Sequence, residues 1–396
     1  MGGLETNISR DEILKRASDM VPVLQERARD AELARRIPEE TDQAFRDAGF
    51  YRVLQPARFG GLELDFGTQT ELAIKLSPGC ASSGWVAAVT ACHGWLLGMF
   101  PPKAQEDVWG KNPEASIASS FLGFGPTIER VEGGLHIDGR WGFSSGVNHC
   151  SWVVLQVAVP PEKEGDRPQL HFALVPLDEC EIVDTWQTTG LAATGSNDLV
   201  LKDVFVPDYR TVDFMALRGG PTPGSEVNPG YLYSLPQRAT FSFNLVGSVI
   251  GSANGTVQML IEEMKKRVTV GGANLQELST VRYRIAEAES EVAAAYSLMD
   301  RNRAEIIAKG KAGDIPTIED RARYRRDNGY ATKLCVQAVD RIYPIMGGRG
   351  IVSGNAVNRA WRDVHAISHH IALTWDVVAS TAASLAVGGP NDDPLL

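Results

Sequence analysis

Apolar residues recur every three to four positions through residues 8–49, with Ile13, Leu14, Ala17, Met20, Val21 and Leu24 forming one stripe. That period predicts a helix. Arg35-Arg-Ile-Pro38 interrupts the stripe, Pro38-Glu-Glu-Thr-Asp42 opens a second helix with acidic residues at its positive end, and Gly49 closes it. Arg58-Phe-Gly-Gly-Leu62 reads as a turn, and residues 67–109 give two more helices, the second carrying Ser83–Trp95. From about residue 114 the period falls to two. Strands are predicted over Ala115–Phe121, Thr127–Val131, Leu135–Asp138, Trp152–Val159, His171–Pro176, Glu181–Thr185 and Leu199–Val206. Residues 213–234, rich in Gly, Pro, Ser and Asn, have the composition of a loop or linker. Beyond them, residues 237–267, 274–309, 317–346 and 356–388 return to the helical period. The expected organisation is a helical domain over 1–113, a β domain over 114–212, a linker over 213–234 and a four-helix bundle over 235–396.

One stretch joins two alternating runs: Gly139-Arg-Trp-Gly-Phe-Ser-Ser-Gly146, between Leu135–Asp138 and Ser151–Val157. A Trp, a hydroxyl and a Gly at a strand end suit a flat heteroaromatic ligand: the indole packs on its face, the hydroxyl bonds a ring nitrogen, and Gly admits close approach. The pattern equally describes an ordinary β-turn with a packed Trp.

Composition narrows the choice. A net charge of −10 over 396 residues argues against nucleic-acid binding and gives no reason to invoke an anionic membrane surface. No apolar run has the length of a membrane span, no signal-peptide pattern opens the chain, and a cytoplasmic location is expected. Met1-Gly2-Gly3-Leu4-Glu5-Thr6 fits a myristoylation pattern short enough to arise by chance. The five cysteines form no CxxC pair, which fits buried thiols in a reducing compartment. His365, His369 and His370 cluster without a His-Glu-x-x-His, so no metal is expected. No Gly-x-Gly-x-x-Gly follows a strand, so no nicotinamide site is visible.

Several motifs, in this order, resemble the acyl-CoA dehydrogenase superfamily: Arg58-Phe-Gly-Gly-Leu62, Gly84-Trp85 with His93-x-Trp95, Trp141-x-x-Ser-Ser-Gly146, Gly190-Leu-x-x-Thr-Gly-Ser-Asn197, Lys202-Asp-Val-Phe-Val-Pro207, Gly347-Gly348 and Trp361-Arg-Asp-x-His365. Within that superfamily the chain is similar to oxygenase components of two-component phenol hydroxylases acting on p-hydroxyphenylacetate or secosteroid phenols. The resemblance implies an α+β fold: N-terminal helices, a central β-sandwich or barrel, and a C-terminal four-helix bundle. It also implies a homotetramer, to which the Ala-rich faces of residues 286–296 and 379–386 are suited.

The resemblance further implies a reduced flavin, FMN or FAD, delivered by a separate reductase, and O2 as co-substrate. By it, Ser144 stands against flavin N5, Trp141 flanks the ring, Ser119 lies on the strand facing the flavin, and Arg267 reaches flavin phosphates across a subunit contact. Acyl-CoA dehydrogenases carry a catalytic Glu nine residues after the Arg of Arg-Asp; here that position is Ile371, which cannot take a proton. The preceding residue, His370, matches a catalytic His of the phenol hydroxylases, with His369 one residue away. Ala192-Ala193 replaces the Arg-Gly of many relatives and leaves the substrate anchor open.

The implied chemistry is attack of a phenolate ortho carbon on a C4a-hydroperoxyflavin. Histidine, with a reference pKa near ~6.5, suits the removal of the phenol proton, a contribution of about 10²–10⁴ in rate. His370 is the expected base, with His93 as a polar contact to the substrate hydroxyl and Ser119, Trp95 and Phe121 around the substrate; Phe124 and Tyr231 are further pocket candidates. His365 is expected to cap or pack, and His136, His149 and His171 to be structural. The alternatives are oxygenation of nitrogen, sulfur or an indole on the same fold, or a non-catalytic flavin-binding protein.

Overall fold

Helix α1 (Arg10–Ala34) forms because Ser9 caps it, accepting the Glu12 backbone N–H, while Ile13, Ala17, Leu24, Ala28 and Ala31 turn inward. Helix α2 (Glu39–Asp47) follows with Glu39, Glu40 and Asp42 in its first turn. The computed structural model describes all residues except 1–4, 162, 164, 392, 394 and 395, so the start of the myristoylation-like pattern lies outside the described residues. Residues 67–109 hold three helices where two were expected: α3 (Thr68–Leu76), α4 (Ala81–Leu97) and α5 (Pro102–Trp109). Pro101-Pro102 makes the division, since Pro cannot continue a helix but is pre-organised to start one. All of α4 is buried, as befits a helix apolar on every side.

Among the described residues nine strands follow: β1 (Ile117–Ser120), β2 (Leu122–Gly123), β3 (Thr127–Val131), β4 (Gly134–Ser144), β5 (Trp152–Val159), β6 (Gln169–Pro176), β7 (Glu181–Val183), β8 (Asn197–Pro207) and β9 (Thr211–Asp213). One sheet has the order β1-β5-β6-β9, with β1 parallel to β5. The other has the order β2-β4-β8-β7, with β3 added on β4. Ile137, Trp141, Leu155, Val175, Leu199 and Val206 share the core of this β region.

The strand expected to stop at Asp138 instead runs through Gly139-Arg-Trp-Gly-Phe to Ser144. Irregular pairing with β8 between Ile137 and Gly139, and again between Trp141 and Ser144, absorbs the extra residues. Gly139 (φ 143°) and Phe143 (φ 63°) take the positive φ values that these irregularities need. The turn at Ser145-Gly146 does break the chain: Gly146 is left-handed (φ 69°) and donates its N–H to the Thr194 carbonyl.

Residues 213–234 form no loose linker. Tyr233 is fully buried and bonds the Leu54 carbonyl at 3.1 Å, and Asn228 bonds the Gly98 carbonyl at 2.7 Å. The C-terminal helices are α6 (Gln237–Thr240), α7 (Phe243–Met264), α8 (Ser279–Ala312), α9 (Ile318–Ile342), α10 (Ala356–Ser368) and α11 (Trp375–Ala386). The last helical pattern thus splits. The Ala372 N–H, which a continuing helix would give to the Ser368 carbonyl, goes to His370 Nδ1 at 3.1 Å, and the chain turns at His369–Thr374 with neither Gly nor Pro to announce it.

Candidate active site

Two strand ends and one buried helix meet at a corner of the β region. The Ser120 hydroxyl donates to the Gly142 carbonyl and ties the end of β1 to the end of β4, which brings Ser119 and Ser144 to the same corner. Opposite them stands His93 on α4, only 3% exposed. Its Nδ1 bonds the Ile117 carbonyl at 2.8 Å. A carbonyl can only accept, so Nδ1 carries the hydrogen and Nε2 is left as an acceptor. Nε2 lies 2.7 Å from Ser119 Oγ, which therefore donates to it and keeps its own lone pairs for another donor. Burial pushes the His93 pKa down to about 4, so the ring is neutral at neutral pH.

Ser144 differs. Its hydroxyl is fully buried and has no partner among the described residues. An orphaned buried hydroxyl costs roughly 1–3 kcal/mol unless something bonds it. At a strand end beside a second serine, it fits the N5 edge of a flavin.

The other wall is the break between α10 and α11. His370 packs against Trp85 and Phe241, with ring centroids 5.8 and 6.0 Å apart. Its Nδ1 accepts the Ala372 backbone N–H at 3.1 Å, so the proton resides on Nε2 and this nitrogen is a donor. Burial lowers its pKa to about 4 as well. His369 is exposed and bonds back to the His365 carbonyl at 2.8 Å, so the two adjacent histidines are separated by geometry. Trp85 Nε1 donates to Ser145 at 3.1 Å, and a chain of hydroxyls continues through Ser196 to Thr194, with both links 2.7 Å. This chain seats the Gly190–Asn197 loop against α4. Asp363 fastens the same loop from α10 by accepting the Leu191 N–H at 2.7 Å. Burial raises its carboxyl pKa to about 6, against that bond.

Of the expected site residues, Ser119, His93, Ser144, His370 and Phe121 gather here. Phe121 packs on Phe172 and Phe241 at 5.1 and 5.6 Å. Trp141 does not join them: it has no exposed surface, donates Nε1 to the Gln156 carbonyl and fills the β core, on the same face of β4 as Leu135 and Ile137. Trp95 is likewise a core residue, bonded to the Leu232 carbonyl and packed on Phe66. Tyr231 bonds Asp65, away from this corner, and Phe124, 52% exposed, lies beneath Arg140 and against Gly142. Arg267 lies beyond the end of α7 and bonds the Met346 carbonyl at 3.3 Å, beside exposed Val268 and Val270. Three residues were not placed at the site from sequence: Trp85, although it stands in the Gly84-Trp85 motif, and Arg238 and Phe241, whose one signal is their three-residue spacing at the start of the bundle.

Residues 244–375 match the family model described as "Acyl-CoA dehydrogenase, C-terminal domain". The chain is 34% identical to the FADH(2)-dependent resorcinol hydroxylase, oxygenase component, of Rhizobium sp., over 95% of this chain and 94% of that protein. It is also 34% identical to the flavin-dependent monooxygenase, oxygenase subunit HsaA, of Rhodococcus jostii, over 91% and 94% respectively. The crystal structure of 3-HSA hydroxylase from Rhodococcus sp. RHA1 superposes with a TM-score of 0.93 at 33% identity, covering 98% of this chain and all of that one.

Proposed function

Since the chain belongs to the acyl-CoA dehydrogenase-like oxygenase components of two-component flavin-dependent monooxygenases, which hydroxylate aromatic substrates with FADH2 or FMNH2 from a separate reductase, we propose that its substrate is a phenol. The oxygen enters ortho to the phenol hydroxyl. When bound, the reduced flavin supplies the electrons that activate O2. The observation that carries this reading is the pairing, at one corner, of an unpartnered Ser144 hydroxyl with a Ser119 whose hydrogen is already committed to His93.

Ser119 Oγ accepts the phenol O–H, passes its own hydrogen bond to His93 Nε2, and His93 Nδ1 stays anchored on Ile117. Starting from a pKa of about 4, His93 would not hold a phenol proton alone. A phenolate beside it favours the charged ring, so the proton shifts as ring electron density moves toward oxygen. In this arrangement His370, whose free nitrogen carries hydrogen, is a donor toward the flavin side; the role of phenol base, expected of it from sequence, passes to Ser119–His93. Ser144 offers its hydroxyl to flavin N5, and the apolar faces of Trp85, Phe121 and Phe241 keep water out.

We place the protein in the cytoplasm, which suits its five free cysteines, and read it as a homotetramer. Small exposed residues such as Ala286, Ala293 and Ala294 on α8 suit close helix contacts, and Arg267 with exposed Val268 and Val270 suits a crossing to a neighbouring subunit's flavin. Light scattering showing a monomer at micromolar concentration would remove that part of the proposal. The test of the chemistry is mass spectrometry of products after incubation with a flavin reductase, flavin, 18O2 and a panel of phenols. The expected result is one labelled oxygen ortho to the hydroxyl. Labelled products from amines, thioethers or indoles alone would replace the phenol, and peroxide alone with every substrate would end the hydroxylase reading.

A further inference from the structure

Helix α10 leads into His370, and midway along it Asp363 turns its carboxyl to the Gly190–Asn197 loop. The loop runs against the α10 backbone: a Cβ on Gly190 would stand 2.3 Å from the Arg362 carbonyl oxygen. Beside it Leu191 holds a left-handed backbone (φ 52°), which residues other than glycine seldom adopt. Its N–H goes to Asp363 at 2.7 Å, and its carbonyl accepts Trp186 Nε1 and the Thr194 hydroxyl, both at 2.9 Å.

The direction of the hydroxyl chain follows from that end. Thr194 spends its hydrogen on the Leu191 carbonyl, so it accepts from Ser196; Ser196 accepts from Ser145, and Ser145 accepts from Trp85 Nε1. Every hydrogen points toward Leu191. The Thr194 carbonyl also accepts the Gly146 N–H at 2.8 Å. Ser145 and Gly146 directly follow Ser144, whose own hydroxyl has no partner among the described residues to locate it.

Asp363 is only 5% exposed. The charged groups about it are Arg359 and Arg362 on its own helix and Glu32 on α1, which is bonded by Arg29 and Arg362 and lies 3.9 Å from Arg359. The Cys80 thiol, kept protonated by burial, faces it from the start of α4, and α7 contributes the uncharged Ser252 and Met259. These residues line a cavity of about 240 Å³ together with exposed Gln25 and Ala356, so a proton can reach the carboxyl from solvent. Burial, opposed by the Leu191 bond and the two arginines, sets the carboxyl pKa at about 6.

We infer that Asp363 is a positioning residue for Ser144: as a carboxylate it fixes Leu191 and, through Thr194, Ser196 and Ser145, the place of the hydroxyl offered to the flavin. A proton on the carboxyl replaces a charged acceptor by a neutral one, the Leu191 bond weakens, and Ser144 is held less closely. The inference rests on the placement of Ser144 at flavin N5 proposed above.

Asp363→Asn tests it, since the amide keeps an oxygen for the Leu191 N–H and is neutral at every pH; Asp363→Ala keeps none. In the full-length protein without flavin, amide hydrogen exchange should show protection at Leu191 and Gly146 reduced by about fivefold in Asp363→Asn and further in Asp363→Ala, with Val154 of β5 unchanged. In single turnovers with chemically reduced flavin, O2 and a phenol, peroxide released per product should rise by about fivefold in Asp363→Asn at neutral pH, with phenol affinity unmoved. The wild-type ratio should climb to the same level as pH falls through 6, while that of Asp363→Asn stays flat. Adding Asp363→Asn to Ser144→Ala should raise the ratio no further. Asp363 variants that keep the wild-type ratio while Ser144→Ala exceeds it overturn the inference, because the carboxyl then holds the loop without placing the hydroxyl. Fully additive effects of the two substitutions overturn it as well. An unchanged ratio in Ser144→Ala removes the flavin placement and the inference with it, a separate failure that leaves the exchange at Leu191 still responsive to Asp363.

Discussion

The two histidines of the site sit on opposite walls and are held in different ways. His93 lies within a fully buried helix and is bonded at both nitrogens, to Ile117 and to Ser119. His370 lies in a turn between two helices and is bonded at one, to a backbone N–H two residues on. The first ring is set by contacts between a helix and a strand, the second by its own turn. Residue type is the same and burial shifts both pKa values the same way, yet His93 presents an acceptor, its Nε2 through Ser119, and His370 presents a donor. Hydrogen-bond partners, more than pKa, divide the work between them.

The comparison can be broken most severely at His93. His93→Ala leaves Ser119 without an acceptor, and hydroxylation at pH 7 should fall by about 10²–10⁴. Flavin binding should persist, and activity should recover in part near the phenol pKa of about 10, where phenolate forms unaided. Stopped-flow and product analysis across pH check this; recovery at high pH in His370→Ala instead would exchange the two roles.

Acid stability is the next largest effect. His93 is lowered from 6.5 to about 4, so the unfolded chain binds more protons between those values. Its contribution is present above pH 6.5 and is lost as pH falls toward 4, by up to about 3 kcal/mol. Asp363, raised to about 6, acts in the opposite sense: its contribution is present below pH 4 and is lost as pH rises through 6. Denaturant unfolding of wild type and His93→Leu from pH 4 to 7 should show a shallower pH dependence in the variant. Parallel curves would mean that His93 is not held neutral.

Ser144→Ala tests the orphaned hydroxyl. With about 1.5–3 kcal/mol at stake in a hydrogen bond to a charged or developing charged group, peroxide released per product should rise roughly ten- to hundredfold. An unchanged ratio of peroxide to product would show that the hydroxyl does not meet the flavin. The smallest effect is expected at His370. Losing one neutral donor is worth about 1 kcal/mol, so His370→Ala should slow turnover by roughly fivefold without moving the pH profile. His370→Asn, which keeps an N–H donor, should recover part of the loss. A shifted pH profile in either variant would restore His370 as the base.

Much of this architecture was readable because period and punctuation are local. The switch from a spacing of three or four to a spacing of two placed the change from helices to strands, and Thr127–Val131 and Trp152–Val159 fall where alternation put them. Four of the residues most involved in the proposed chemistry came from the family resemblance: Ser144 and His93 within its motifs, Ser119 by its strand and His370 by its distance from Arg362. What escaped depends on partners distant in the chain. Trp141 belongs to the β core because β4 runs on past Asp138 and pairs it with Leu199 of β8, a continuation that the local pattern did not show. The last helical pattern breaks at His369–Thr374, where the Ala372 N–H goes to the His370 ring, with no Gly or Pro to signal it. The roles of the two histidines depend on which nitrogen meets Ile117 and which meets Ala372, contacts that exist only once the chain has folded. Arg238 shows the same limit: its place over Phe121, Phe172 and Phe214 is a fact about three aromatic rings brought together by the fold. The sequence by itself determined the elements, their order and the residue types that chemistry needs, since these depend on neighbours along the chain. Tertiary structure decided which face each residue shows, which atoms are satisfied and which proton sits where, since those depend on neighbours in space.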